Sequence, residues 1–169
     1  MSMTDGREYR MHSGNMAAFR RAEEKDLAAL CAIEERCFGT PWSETTLKEM
    51  LESPLDLVFM AELPDMPGEE GHTAGYLNFR VIAGEGELMR VAVLPEQRGC
   101  GIAAGLMEEM MAAAETMGVS DITLEVRASN VPALKLYDRF GFKAEAVRKN
   151  YYDHPQEEYT RKLLSAIQF

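Results

Sequence analysis

Residues 88–117 read LMRVAVLPEQRGCGIAAGLMEEMMAAAETM, and the fold turns on this stretch. It begins with a short apolar run, MRVAV, of strand length and rich in β-branched valine. Pro95 ends the run because it has no N–H to give a sheet ladder. After Arg98-Gly99-Cys100-Gly101 a helical pattern follows, with Ile102, Leu106, Met110, Ala113, Ala114 and Met117 at spacings of three and four. Glu108, Glu109 and Glu115 fall mostly away from that stripe. A strand, a turn of small residues and a buried helix leave a row of free backbone N–H groups at the helix start. With the positive end of the helix dipole they suit an anion, most naturally a phosphate. A P-loop is excluded, since no GxxxxGK[ST] occurs and no lysine follows the glycines. Gly99-x-Gly101-x-x-Ala104 fits the GxGxxA dinucleotide fingerprint, and Asp121 lies about twenty residues on. In that fingerprint the first glycine ends the strand directly, whereas here Leu94 to Arg98 intervene. A structural helix start, with small residues for close packing, stays open.

The whole chain narrows the choice. At 169 residues it is long enough for one domain with a real core. A net charge of −10 argues against a general nucleic-acid or anionic-membrane surface and is compatible with a basic polypeptide partner. No run approaches a membrane span and the N-terminus lacks the apolar core of a signal peptide, so a cytoplasmic location is the default expectation. Cys31, Cys37 and Cys100 form no CxxC, and His12, His72 and His154 are scattered, so neither a metal site nor a disulfide is expected. Cys31 and Cys37 read as small core residues of a helix, and Cys100 as a tolerated small residue in the turn.

Taken in order, residues 1–14 are polar and aperiodic and are expected to be a flexible leader to a single domain at 15–169. Met16–Arg21 reads as a strand; Glu23–Phe38 as a helix with Leu27, Leu30, Ile33, Glu34 and Cys37 at helical spacing. Ser43 is an N-cap for a second helix, with Trp42 and Leu47 placed as a hydrophobic staple. Asp56–Leu63 and Thr73–Ala83 read as strands around a loop at Pro64–Gly71. After the central helix, Gly118 is a left-handed stop. Val119–Val126 is a strand, and Val131–Phe140 a helix with Pro132 in its first turn. Phe142–Val147 and Glu158–Leu164 form a last hairpin. The order β-α-α-β-β-β-α-β-α-β-β is mixed α/β and disfavours a Rossmann fold, which alternates from its start.

Several motifs, in order, carry a family resemblance. Arg98, Gly101 and Ala103 meet R-x-x-G-x-A, which resembles the pyrophosphate loop of the GNAT acetyltransferases. Leu124-Glu125-Val126-Arg127-Ala128-Ser129 with Asn130-x-x-Ala133-x-x-Leu136-Tyr137-x-x-x-Gly141-Phe142 resembles the RimI-like branch, the ribosomal-protein alanine Nα-acetyltransferases. Arg21-Ala22, Asp26-Leu27, Pro41-Trp42-Ser43 and Asn150-Tyr151-Tyr152 extend the match over residues 17–164. The resemblance implies an acyl-CoA N-acyltransferase fold: a mixed α+β sheet of about six to seven strands, splayed between the fourth and fifth, with about four helices. It implies acetyl-CoA in the splay between Leu88–Val93 and Val119–Val126. The backbone of Val91, Ala92 and Val93 would run along the pantetheine and acetyl group. Arg98 and the amides of Gly99, Cys100, Gly101, Ile102, Ala103 and Ala104 would hold the pyrophosphate, and Asn130 the CoA arm. It further implies Glu125 as general base and Tyr137 as general acid, with Trp42, Tyr151 and Tyr152 as groove-wall candidates.

Residue chemistry fits those roles. Glu125 is a lone acid in an apolar strand, ITLEV, where partial burial would strengthen it as a base. A tyrosine, with a pKa of about 10, is protonated at neutral pH and can give a proton to a leaving thiolate. A structural reading stays open for each: Glu125 paired with Arg127 or another cation, Tyr137 as a core phenol, Trp42 as packing. An α-amine of pKa about 8 is roughly a tenth neutral at pH 7, a lysine amine only a few parts in ten thousand. A single carboxylate base therefore suits an α-amine. The expected function is acetyl-CoA-dependent acetylation of a protein N-terminus, plausibly of a ribosomal protein, without metal, nucleic acid or membrane. The alternatives are acetylation of a small-molecule amine or lysine side chain, or a non-catalytic acyl-CoA-binding domain. Three departures from the family pattern stand out: Ala103 for the commoner second glycine, Arg90 at an often uncharged position, and the individual loop 153–159.

Overall fold

The computed structural model describes residues 7–10, 16–64, 72–148 and 160–166. Its strands are β1 (Arg7–Arg10), β2 (Met16–Arg21), β3 (Asp56–Leu63), β4 (His72–Ile82), β5 (Glu85–Val93), β6 (Asp121–Arg127), β7 (Lys143–Arg148) and β8 (Thr160–Ala166). Its α-helices are α1 (Leu27–Cys37), α2 (Glu44–Glu52), α3 (Ile102–Thr116) and α4 (Val131–Arg139). The strands form one sheet in the order β1-β2-β3-β4-β5-β6-β8-β7. Every neighbouring pair is antiparallel except β5 and β6, which are parallel and joined by the α3 crossover.

The mixed α/β expectation holds, but the strand count is eight rather than six to seven. The extra strand is β1, which lies inside the stretch expected to be a flexible leader and pairs with β2 from Arg7↔Phe19 to Arg10↔Met16. An open sheet edge can recruit a segment through backbone hydrogen bonds alone, so no apolar alternation marks it in advance. The parting pair expected as fourth and fifth is accordingly the fifth and sixth.

Two apolar layers flank the sheet. On one face α3 packs over β2 to β5, and its core joins Phe19, Leu77, Phe79, Leu106, Met110 and Ile122, with Tyr137 and Phe142 at the α4 end. On the other face α1 lies on β4 and β5 and α2 on β3, around Leu30, Ile33, Leu47, Val58, Met60 and Tyr76. The α3 stripe is buried at Ile102, Leu106, Met110 and Ala114 and also takes in Gly105 and Met107. Met117, expected on that stripe, is instead 50% exposed, because α3 ends at Thr116 and the chain turns away at Gly118. Gly105 lets α3 approach β2: a Cβ there would sit 2.2 Å from the Phe19 ring. Ser43 caps α2 by accepting from the Thr46 N–H at 3.1 Å, and Asn130 caps α4 through Ala133 at 3.2 Å. Among the described residues no helix is long and apolar enough to cross a membrane.

Candidate active site

The site begins where β5 and β6 stop pairing. Their register runs only from Glu85↔Asp121 to Leu88↔Leu124. At that point β5 carries a bulge: Phe79 of β4 faces Leu88 and Asn78 faces Arg90, leaving Met89 as the extra residue. A bulge bends its strand and sharpens the twist, so Met89–Val93 turn away from β6 while staying on β4. It also resets the side-chain alternation. Leu88, Val91 and Val93 pack with the α3 layer, while Ala92 and Leu94 pack with the α1 layer and Arg90 meets Phe38 and Glu34.

The α3 start faces this gap. After a 3-10 turn at Pro95–Gln97, Gly99 and Gly101 both take positive φ, 76° and 93°. L-residues rarely adopt these angles, which is why glycine occupies both places. A Cβ at either would meet nothing within 4 Å, so no side chain packs against the turn at those two positions. No side chain caps α3, and its first backbone bond is Gly105 N–H to Gly101 carbonyl at 3.0 Å. The amides of Ile102, Ala103 and Ala104 therefore have no intrahelical partner. Ala103 is helical, so replacing the second glycine costs no strain. Such a cradle fits a diphosphate. Arg98 Nε donates to the Val93 carbonyl at 3.0 Å and ties the turn back to β5. Cys37 Sγ meets the same carbonyl at 3.5 Å, and burial pushes its thiol pKa up. Cys100 is half-buried in the turn, with Sγ 3.8 Å from the Arg98 carbonyl.

Glu125 and Tyr137 lie on opposite faces of the sheet. On β6 the residues Ile122, Leu124 and Val126 point into the α3 layer, which places Glu125 on the other face, level with the parting. The partial burial expected of it is not found: Glu125 is exposed. A strand at the margin of the α1 and α2 cover is shielded on one face only, which the apolar look of ITLEV does not disclose. Tyr137 is 6% exposed in the α3 layer, its ring tilted against Phe142 at 5.8 Å. Burial pushes its pKa up to about 12. Asn130 spends its side-chain oxygen on the α4 cap. Tyr151 and Tyr152, with the loop 153–159, lie outside the described residues. Among the described residues no cluster of three or more His, Cys, Asp or Glu could hold a metal ion.

Trp42 belongs to a buried knot that sequence reasoning did not assemble. Glu34 has a fully buried side chain and accepts from Arg90 Nε at 2.9 Å, Arg90 Nη2 at 2.6 Å and the Trp42 backbone N–H at 2.7 Å. The Tyr76 hydroxyl donates to it as well, and burial first, then this carboxylate, pushes the Tyr76 pKa far up. The Arg90 guanidinium lies over the Phe38 ring at 3.6 Å and the Trp42 ring at 4.5 Å. One signal for the knot was visible: Glu34 shares the apolar stripe of α1, where a charge needs a partner. The partners come from β4, β5 and the segment after α1, which spacing alone does not bring together.

Known proteins resemble the chain in sequence and in fold. Residues 27–142 match the Acetyltransferase (GNAT) family. The chain is 30% identical over 143 residues to the putative ribosomal protein bS18-alanine N-acetyltransferase of Bacillus subtilis, covering 84% of this chain and 91% of the relative. It is 34% identical over 130 residues to the ribosomal protein bS18-alanine N-acetyltransferase of Escherichia coli, covering 77% and 83%. Among solved structures, the Escherichia coli ribosomal-protein-S18-alanine N-acetyltransferase superposes with a TM-score of 0.78 at 30% identity over 91% of this chain and 96% of that one. Arabidopsis thaliana NAA60 in complex with acetyl-CoA has the same fold, with a TM-score of 0.76 at 19% identity over 89% and 98% of the two chains.

Proposed function

The chain belongs to the GNAT acetyltransferase family, and from that premise we propose that it acetylates the N-terminal α-amine of a protein in the cytoplasm, a ribosomal protein of the bS18 kind. It is an acetyl-CoA-dependent N-acetyltransferase. The observation that carries the reading is the parting of β5 from β6 beside the uncapped start of α3. A thioester arm can enter there, its diphosphate held by the amides from Gly99 to Ala104.

Acetyl-CoA supplies an activated acyl group. The amine nitrogen forms a bond to the acyl carbon, the carbon–sulfur bond breaks, and one proton must leave the amine while another reaches the thiolate. Glu125 takes the first proton, through a water its exposure permits. Tyr137, whose pKa of about 12 keeps it protonated, gives the second from the α3 side. The backbone of Val91 to Val93, which no longer has β6 as a neighbour, lies along the acyl arm. Trp42 walls the amine's approach from the α1 side. An α-amine suits one exposed carboxylate better than a lysine does, since far more of it is neutral at pH 7.

The test is thiol release and intact-mass acetylation with an alanine-initiated peptide, set against a lysine-only blocked peptide and a free polyamine. The expected result is turnover on the first alone. Glu125→Gln and Tyr137→Phe should each cut kcat by about 100-fold or more while shifting the KM for acetyl-CoA by less than about threefold. Wild-type turnover in both variants would sink the assignment.

A further inference from the structure

Met89 has no part in the chemistry proposed above, and its place in the sheet is unusual. It is the extra residue of the β5 bulge and has no partner on β4, since Asn78 faces Arg90 and Phe79 faces Leu88. It also comes directly after the last residue of β5 that pairs with β6, Leu88 opposite Leu124. Met89 therefore stands at the vertex of the gap, where the two strands begin to part. A strand residue lends its side chain to one face of the sheet or the other. Here Leu88, Val91 and Val93 join the α3 layer, while Ala92 and Leu94 join the α1 layer. Among the apolar residues from Leu88 to Leu94, Met89 alone joins neither, and it is half-buried. The bulge explains the exception, because it leaves one residue out of the alternation.

The gap narrows towards that residue. Its wide end lies at the C-terminal end of β5, beside the turn of Gly99 and Gly101 and the uncapped start of α3. From Val93 back to Met89 the strand runs about 13 Å, at roughly 3.3 Å per residue. At the narrow end the strands close through the Leu88–Leu124 pair, whose side chains are both buried in the α3 layer. A thioester arm that enters beside α3 and lies along Val93 to Val91 carries its acyl group as the leading end, towards the vertex. Each methylene added to that group then runs into Met89 and the closed strand pair, not into solvent. The floor is thus a backbone closure bearing one flexible side chain. The hydrogen-bonded strands cannot retreat, but methionine, unbranched and with three rotatable bonds, can yield a little. Such a floor admits acetyl, resists propionyl and excludes butyryl.

We propose that Met89 is a specificity-determining residue that limits the acyl donor to a short chain by flooring the gap between β5 and β6. This rests on the reading that an acyl-CoA occupies that gap, and not on which amine receives the group. The experiment is calorimetry of acetyl-, propionyl- and butyryl-CoA with the full chain, which needs no acceptor. Wild type should bind butyryl-CoA about tenfold more weakly than acetyl-CoA. Met89→Ala should bring the two within about twofold, and Met89→Phe should extend the wild-type penalty to propionyl-CoA. Each variant is read as a ratio between two thioesters, so a general loss of stability, which weakens both alike, does not imitate the effect. With an alanine-initiated peptide as acceptor, the butyryl-to-acetyl ratio of kcat/KM should rise about tenfold in Met89→Ala. A wild type that binds butyryl-CoA as tightly as acetyl-CoA overturns the inference without any variant, and so does either ratio left unchanged by Met89→Ala. Failure to acylate any peptide N-terminus while the binding ratio shifts overturns the acceptor reading and upholds this one. Absence of binding by all three thioesters overturns both.

Discussion

A fully buried carboxylate survives in a protein only when donors replace the water it has lost. Glu34 has donors from three segments, and removing it leaves Arg90 enclosed by two rings without a counter-charge. Glu34→Ala should therefore cost about 3–5 kcal/mol in urea unfolding, whereas Tyr76→Phe, which deletes one donor, should cost about 1–2 kcal/mol. Equal losses would show that the knot is not centred on the carboxylate. Tyr137 makes a separate prediction in alkali. Its folded pKa is about 12, above the value of about 10 for an unfolded tyrosine. Its contribution to stability is thus whole below pH 10 and lost as pH rises towards 12, roughly 3 kcal/mol in all. Tyr137→Phe should flatten the fall in stability over that window, and an unchanged slope would refute the burial argument. At this scale sequence reading singled out Glu125 and Tyr137, since each stands out chemically from its neighbours. It misjudged the surroundings of Glu125, because exposure depends on where the α1 and α2 cover ends.

Among the elements, α3 carries most of the constraint. On the proposed reading its N-terminus must stay open for a phosphate, and its middle lies close to β2. Gly105→Ala pushes a methyl into the Phe19 ring, a contact of 2.2 Å on a fully packed side. The expected loss is about 2–3 kcal/mol by overpacking, seen as a lower urea midpoint with unchanged slope. Gly101→Ala meets no atom, but its φ of 93° strains any L-residue. It should cost about 1 kcal/mol of stability and weaken CoA binding by a larger factor in calorimetry, since the cradle amides change direction. An unaltered CoA affinity would detach the turn from the cofactor. The helix starts at Ser43 and Asn130 and the glycine turn were legible because caps and turns are written locally. The bulge at Met89 was not, since it exists only in the register between β4 and β5. Yet it is the bulge that opens the gap.

For the molecule as a whole, the net charge of −10 sets opposite conditions for the two substrates. CoA is an anion and must approach an acidic protein against repulsion, held on the proposed reading by short-range amides at the α3 start. A protein acceptor with a basic body is drawn in over longer distances. Family and fold were legible in the motifs because they sit in order along residues 17–164; this charge balance needs no structure at all. The Debye length falls from roughly 20 Å at 20 mM salt to about 7 Å at 200 mM. Across that range kcat/KM for an alanine-initiated peptide with a distal lysine-rich tail should fall several-fold, while the KM for acetyl-CoA stays level or improves. A peptide with the same first residues and a neutral tail should lose little. If both peptides respond alike, the surface charge plays no part in bringing the acceptor, and selection lies wholly within the site itself.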